Sequence, residues 1–212
     1  GKVFFTTPDD SGMAKSNIWL RSADRVFLQL ATFPAETFEQ LFNGVNAIDW
    51  SRYINIEHAF PVLVKSKHSQ LTSTPACQSI SKKAIVKKLQ AQFKSEYLSE
   101  TGAIVAVHVW LDQNQATVLL DTSGSGLHRR GYRPAVGVAP LKETLAAGLI
   151  LLSGWEGQHP LWDPFCGSGT IVIEAAMIAM NIAPGMRREF AYQDWEWYDP
   201  KYDEQAREEA LA

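Results

Sequence analysis

The octapeptide at residues 163–170 decides the fold of the second half of this chain. Its sequence is Asp163-Pro164-Phe165-Cys166-Gly167-Ser168-Gly169-Thr170. It lies between the apolar pair Leu161-Trp162 and an apolar run at residues 171–181. Two glycines in a short turn allow a tight bend and the close approach of a ligand. A strand, a glycine-rich turn and a buried helix form the opening unit of an open α/β sheet. We therefore expect an α/β fold, with Leu161-Trp162 as a strand and residues 171–181 as a helix.

The same turn has the groups needed to hold a small ligand with a positive and a negative end. The first N–H groups of a helix can bind a carboxylate, and Ser168 or Thr170 can cap that helix. Asp163, at the end of the strand, can pair with an ammonium group. A P-loop is excluded because no Gly-Lys-Ser or Gly-Lys-Thr follows, and the dinucleotide pattern lacks its third glycine. A plain strand-to-helix turn, with small residues for packing only, is the alternative.

Composition indicates a folded protein with no membrane span. The 212 residues, 46% of them hydrophobic and 20% charged, suffice for one large domain or a few small ones. A membrane helix needs about 18 or more consecutive apolar residues, and this sequence has no such run. The two cysteines, Cys77 and Cys166, form neither a disulfide framework nor a zinc pattern. We expect a reducing, cytoplasmic location and no bound metal.

Charge is distributed unevenly along the chain, although the formal net charge is only −3. Residues 58–95 contain no Asp or Glu, whereas the residues from 189 onward contain eight acidic and two basic side chains. The lysines of the acid-free stretch are Lys65, Lys67, Lys82, Lys83, Lys87, Lys88 and Lys94. Lysines neutralise nucleic-acid phosphates without reading the bases, so this stretch is a candidate nucleic-acid surface. A solvated helix face is the alternative.

The periodicity of the middle of the chain predicts one helix and one hairpin. Ser81 is expected to cap a helix whose apolar face carries Ile85, Leu89 and Phe93. Two β-rich runs, at residues 104–111 and 116–121, are joined by a short polar segment, which is typical of a hairpin. Small residues at 122–126 indicate a hinge before the second half.

Further segments carry a family resemblance. They are Leu127-His128-Arg129-Arg130-Gly131-Tyr132-Arg133, Ile173-Glu174-Ala175-Ala176, and residues 17–26, 77–86, 139–146, 152–155 and 182–185. The octapeptide resembles motif I of class I methyltransferases that modify exocyclic amines of nucleic-acid bases. In combination, these segments resemble the bacterial THUMP-domain RNA guanine-N2 methyltransferases, and the resemblance covers nearly the whole chain.

The resemblance implies three domains and a cofactor. Residues 1–45 would be a ferredoxin-like N-terminal piece and residues 46–122 a THUMP RNA-binding module, both α+β. Residues 123–212 would be the N-terminal part of a Rossmann-like class I methyltransferase domain, so the whole chain would be α/β. The cofactor would be S-adenosyl-L-methionine, with its methionine part in the octapeptide turn. Residues 139–144 would close the other side of that pocket.

The resemblance also assigns residues to binding roles. The cofactor would be bound by Asp163, Pro164, Phe165, Cys166, Gly167, Ser168, Gly169 and Thr170. The RNA would be bound by Lys65, Lys67, Lys82, Lys83, Lys87, Lys88, Arg129 and Arg130, although the two arginines could instead anchor packing at the domain junction. Cys166 is expected to be a small packed residue, because methyl transfer to an amine needs no covalent enzyme intermediate. Glu143 is expected to be a solvated carboxylate on a helix face rather than a ligand contact.

The expected activity of the parent enzyme is methyl transfer to guanine N2, with 23S ribosomal RNA as the first substrate and transfer RNA as the second. The family's catalytic motif is Asn/Asp-Pro-Pro-Tyr/Phe, and no Pro-Pro pair occurs in this sequence. We therefore expect that motif beyond Ala212, no catalytic residue within this chain, and a fragment that is inactive alone. A non-catalytic RNA-binding module is the main alternative. A DNA adenine methyltransferase would share motif I but would not explain the lysine-rich stretch.

Overall fold

The computed structural model describes residues 1–132 and 141–211. It confirms the mixed α/β class, and the chain divides into two compact units. Unit 1 comprises Gly1–Val26, Ser125–Gln193 and Tyr198–Ala212, and unit 2 comprises Phe27–Gly124 and Asp194–Trp197. None of the helices in the described residues has the length and apolarity needed to cross a lipid bilayer.

Unit 2 is built on one four-stranded sheet with helices packed on it. Its elements are β1 (Phe27–Pro34), α2 (Phe38–Ala47), a 3₁₀ turn (Trp50–Arg52), β2 (Val62–Lys67), α3 (Thr74–Phe93), β3 (Val107–Asp112) and β4 (Gln115–Asp121). The strand order is β1-β4-β3-β2, with β2 and β3 parallel and the other two pairs antiparallel. Helix α3 connects the parallel pair and packs on β2 and α2, as a crossover between parallel strands requires.

The predicted hairpin is confirmed as β3 and β4. Asp112 pairs with Gln115 at its closed end, and the two residues between them, Gln113 and Asn114, both have positive φ, 51° and 61°. A two-residue turn of this kind matches the twist of the strands that it joins. On β3, the side chain of Val109 is fully buried, which places this hairpin in the middle of the core of unit 2.

Helix α3 begins earlier than its periodicity predicts. Its first residue is Thr74, with Pro75 in the first turn, where a missing N–H costs nothing. Ser81, the expected cap, lies inside the helix and is fully buried, so that expectation is wrong. The expected apolar face is confirmed at Ile85 and Leu89, which are both fully buried.

A short segment from late in the chain, Asp194–Trp197, completes unit 2. The indole of Trp195 is 2% exposed, and its Nε1 donates to the carbonyl of Ile104 at 3.3 Å. The amide of Asn55 donates to Glu196 at 2.8 Å, and the Trp197 ring packs edge-on against Tyr53. Residues in an acidic part of the sequence therefore serve the core of this unit.

The regular elements of unit 1 in its described residues are all helices. Its elements are α1 (Ser11–Trp19), α4 (Glu143–Ser153), α5 (Thr170–Ala179), a 3₁₀ turn that begins at Ala191, and α6 (Lys201–Leu211). Helix α1 packs against α6, and α4 packs against α5. The expected helix after the octapeptide is confirmed as α5. The expected strand at Leu161-Trp162 is wrong, because these residues find no strand partner among the described residues and the Trp162 side chain is 85% exposed.

The two units divide the chain at 26/27, 124/125, 193/194 and 197/198. The first helix therefore lies with the glycine-rich turn in unit 1, and β1 and α2 lie with the sheet in unit 2. The assignment of residues 1–45, 46–122 and 123–212 to three domains stays a prediction.

Candidate cofactor loop and basic surfaces

The two glycines of the octapeptide are required by the backbone of the turn. Gly167 has φ of 52° and Gly169 has φ of 75°, values that side chains with a Cβ rarely adopt. A Cβ built on Gly167 would have no neighbour closer than the Phe165 carbonyl at 4.0 Å. The backbone beside Gly167 therefore faces open space, as a close approach by a ligand requires.

Short hydrogen bonds within the octapeptide hold the turn in shape. The N–H of Gly169 donates to the Cys166 carbonyl at 2.7 Å, and the N–H of Phe165 donates to Asp163 Oδ1 at 3.1 Å. One carboxylate oxygen of Asp163 therefore supports the turn. The turn is thus held by hydrogen bonds among its own residues.

Helix α5 begins without a side-chain cap at its N-cap position. The N-cap residue is Gly169, and no side-chain hydrogen bond caps the helix. The expected cap by Ser168 or Thr170 is therefore wrong. A glycine cap brings no side chain of its own to the positive end of the helix dipole, which favours an anionic group.

The octapeptide is largely exposed in the described residues. The Phe165 side chain is 93% exposed, and Cys166 is exposed as a free thiol. The expectation that Cys166 is packed is therefore wrong. The side chains of Phe165 and Cys166 thus point to solvent, while Asp163 and the start of α5 hold the turn in place.

Two adjacent arginines, Arg129 and Arg130, have opposite environments. Arg129 is exposed, whereas the side chain of Arg130 is 2% exposed. Arg130 Nη1 donates to the Leu127 carbonyl at 2.9 Å, and Nη2 donates to the Arg21 carbonyl. Its Nε lies 3.5 Å from Glu174 Oε1 on α5. Of the two predicted RNA contacts in this pair, only Arg129 is presented to solvent.

Glu174 is the centre of a buried charge cluster that sequence reasoning did not identify. Its side chain has no exposed area, and it accepts a hydrogen bond from the hydroxyl of Tyr132 at 2.9 Å. Burial lowers the pKa of the nearby Arg21 guanidinium, and the Glu174 carboxylate opposes that shift. A signal was present, because Glu174 is the only charged residue in the apolar run at residues 171–181, and such acids require a partner.

A second acid of unit 1, Glu143, is buried at the start of α4 with 8% of its area exposed. The expectation of a solvated carboxylate is therefore wrong. Burial lowers the pKa of the His128 imidazole, and the carboxylate of Glu143 opposes that shift. Next to Glu143, the Thr144 hydroxyl donates to Asp24 at 3.0 Å. Residues 133–140, which include part of the expected pocket segment at 139–144, lie outside the described residues.

The predicted lysines lie on two elements of unit 2. Lys65 and Lys67 alternate along β2, and Lys83 and Lys87 lie on α3, all four exposed. Within residues 1–132 and 141–211, these four ammonium groups form no ion pair. They are therefore available to phosphate groups.

Lys82 differs from its neighbours because the protein already binds its ammonium group. Lys82 Nζ donates to the Phe60 carbonyl at 3.0 Å and to Glu100 at 2.6 Å. It also lies 3.3 Å from the centre of the Phe60 ring. Burial lowers the pKa of Lys82, and the hydrogen bond to Glu100 opposes that shift. Lys88 is intermediate in exposure.

No group of three or more His, Cys, Asp or Glu side chains in the described ranges is arranged to hold a metal ion.

Two protein families match this chain. Residues 35–121 match the THUMP domain, and residues 130–212 match the family described as RMKL-like, methyltransferase domain. The first match begins directly after β1 and covers the other three strands of the sheet of unit 2, through β4. The second covers the octapeptide and the buried cluster around Glu174.

Several curated relatives carry RNA methyltransferase names, and two of them illustrate the range. YpsC of Bacillus subtilis, named as a candidate RNA methyltransferase, is 51% identical over 93% of this chain and 51% of its own length. The ribosomal RNA large subunit methyltransferase K/L of Psychromonas ingrahamii is 40% identical over 86% of this chain and 24% of its own length. This chain thus spans about half the length of the first relative and about a quarter of the second.

Several solved structures resemble the chain closely, and two of them illustrate the match. A Listeria monocytogenes protein, described as a predicted N6-adenine-specific DNA methylase, superposes with a TM-score of 0.91 at 48% identity, covering 96% of this chain and 54% of its own. SMU.472, described as a candidate methyltransferase and crystallised with SAH, superposes with a TM-score of 0.87 at 49% identity, covering 95% of this chain and 54% of its own. The names disagree about the nucleic acid, DNA in one case and RNA in others.

Proposed function

We propose that this chain, which belongs to the family of THUMP-domain proteins with an RMKL-like methyltransferase domain, binds RNA and S-adenosylmethionine for an RNA methyltransferase reaction. The observation that carries the proposal is the glycine turn. It combines two positive-φ glycines, a helix start with a glycine N-cap and a carboxylate within eight residues. The SAH found with the similar protein SMU.472 is the product left when S-adenosylmethionine donates its methyl group.

The turn fits the methionine part of this cofactor. The ammonium group would be held by Asp163, whose Oδ1 already supports the turn, and the carboxylate by the first N–H groups of α5. The space beside Gly167 admits the ligand next to the backbone. S-adenosylmethionine supplies an activated methyl group, and the chain's own residues bind and orient it. Catalysis of this kind rests on positioning.

Lysine-rich unit 2 would bind the RNA. The four exposed lysines on β2 and α3 have no carboxylate partner in the described residues, and residues 58–95 contain no acid. Phosphate neutralisation by such lysines supplies affinity that falls with salt. A match to a THUMP domain over this unit favours RNA over the DNA named for the Listeria protein.

For the substrate, we infer methylation of guanine N2, with large-subunit ribosomal RNA first and transfer RNA second. The relative named for the large ribosomal subunit supports the ribosomal choice, and the sequence resemblance supports guanine N2. A non-catalytic RNA-binding module is the rival, favoured by the missing Pro-Pro pair. A cytoplasmic location accords with two cysteines that are both free.

Calorimetry with SAH tests the cofactor assignment. Gly167→Val in the full-length protein should abolish SAH binding, because it places a branched side chain at positive φ and fills the space beside the turn. Gly154→Val is the matched control, since Gly154 also has positive φ, 71°, and open space around it. Loss of binding in the first variant only is expected. Normal SAH binding by Gly167→Val would refute the assignment.

The guanine assignment is tested by transferring a labelled methyl group to ribosomal RNA with the full-length protein. Digestion of the RNA and mass spectrometry of the nucleosides should give N2-methylguanosine. Label in N6-methyladenosine would contradict the guanine assignment, and the absence of label with intact SAH binding would favour the non-catalytic module.

A further inference from the structure

We propose that Glu174, with Arg130 and Tyr132, is a positioning residue that sets the spacing between the two walls of the cofactor pocket. This inference rests on the proposed function. We call the three residues the clasp. They act on the pocket through the elements that they join.

The clasp joins α5 to the segment Leu127 to Tyr132. Glu174 lies in the second turn of α5, close behind the octapeptide. Its Oε1 accepts from the Tyr132 hydroxyl at 2.9 Å and lies 3.5 Å from Arg130 Nε. Because a helix is stiff over this length, the clasp fixes the start of α5 and therefore Gly169, its N-cap.

The same segment is tied to the start of α4. The N–H of Leu127 donates to the Asp24 carbonyl at 2.9 Å, and the Thr144 hydroxyl donates to the Asp24 carboxylate at 3.0 Å. A chain of contacts therefore runs from Glu174 through Arg130 and Leu127 to Asp24 and Thr144. The glycine turn lies at one end of this chain and the start of α4, the expected second wall, lies at the other.

The clasp is costly in free energy because its charged side chains are buried. Neither Glu174 nor Arg130 has more than 2% of its side chain exposed. Within the described residues, Glu174 Oε2, Arg130 Nε and Arg21 Nη1 are buried without a hydrogen-bond partner. Apolar side chains would pack the same place at lower cost, so the charges are better explained by directional placement of α5 than by stability.

A matched pair of isosteric variants separates positioning from stability. Glu174→Gln keeps size and removes charge. Asp203→Asn makes the same change at another buried carboxylate of unit 1, which binds Tyr192, Gln193 and Arg207. Both variants should lower the thermal midpoint. In the full-length protein, Glu174→Gln should also weaken SAH binding at least about tenfold, the size typical of residues that orient a binding group.

Asp203→Asn should leave the SAH dissociation constant within about twofold, as expected for an independent site. Equal SAH affinity in the two variants overturns the positioning role while the proposed function stands. Should Glu174→Gln fail to fold, Tyr132→Phe is the deciding variant, because it removes only one hydroxyl. A loss of SAH affinity of about threefold supports the clasp. Unchanged SAH affinity overturns it. If the wild-type protein does not bind SAH, the proposed function itself fails.

Discussion

Basic side chains are concentrated in two regions of this protein. In unit 2 they are lysines on β2 and α3, and in unit 1 they are arginines near residues 127–132 and on the segments that follow α5. The exposed lysines, represented by Lys83, have no ion pair among the described residues. The arginines largely interact with other groups of the protein. Arg130, for example, donates to two carbonyls and lies against Glu174.

The difference teaches that the location of acids, rather than the density of cations, decides what a basic cluster does. Residues 58–95 contain no acid, and four of their lysines, Lys65, Lys67, Lys83 and Lys87, are exposed and form no ion pair in the described residues. Unit 1 places single carboxylates within reach of its arginines, Glu174 for Arg130 and Asp203 for Arg207. Arginine suits this role because its fork can bind several acceptors at once.

The largest effect should come from the neighbouring arginines of unit 1. Arg130→Ala leaves the Glu174 carboxylate buried without its cation and should lower the free energy of unfolding by about 3–5 kcal/mol. Arg129→Ala, one residue away and exposed, should change it by less than about 0.5 kcal/mol. Urea denaturation of both variants measures the difference. Equal costs would remove the distinction between a buried and an exposed arginine.

The exposed lysines of α3 should affect binding rather than folding. Lys83→Glu with Lys87→Glu should weaken binding to a ribosomal RNA fragment and lower the salt slope of the binding constant by about 2, one unit for each phosphate that is no longer neutralised. Fluorescence anisotropy across a salt series measures both quantities. Lys15→Glu with Lys201→Glu, two exposed lysines of unit 1, is the control that should leave the slope unchanged. An unaltered salt slope in the α3 double variant would contradict the assignment of these lysines to the RNA-binding surface.

The smallest effect should come from Lys82, whose ammonium group already has protein partners. Lys82→Met should leave the affinity for RNA within about twofold, because little of its charge is free for phosphate. It should lower the free energy of unfolding by about 1 kcal/mol, because it removes the interactions of the ammonium group with Phe60 and Glu100. A drop in RNA affinity as large as that of the α3 double variant would show that Lys82 belongs to the RNA-binding surface.

Part of the fold can be predicted from the sequence. The hairpin of β3 and β4, the apolar face of α3 and the helix after the glycine turn all follow local periodicity, and each is confirmed. Local rules failed at Leu161-Trp162, since a strand exists only where another strand pairs with it. They also failed at Ser81, because α3 already begins at Thr74, with Pro75 in its first turn.

The roles of adjacent basic residues were not accessible in the same way. Arg129 and Arg130 are identical in type and neighbours in sequence, yet one is exposed and the other lies against an acid more than forty positions along the chain. Lys82 and Lys83 differ for the same reason, because Glu100 and the Phe60 ring reach only one of them. Long-range partners are chosen by folding and leave no periodic signal.

The sequence by itself determined the glycine turn, its family resemblance and the acid-free lysine stretch, because each depends on residues that are close together in the chain. Only the tertiary structure decided which basic side chains are bound by other groups of the protein and which are exposed to solvent. It also brought Glu174 to Arg130 and Asp24 to Thr144. The physical reason is that a buried charge must find its partner in space. Such a partner can come from any part of the chain that the fold brings near.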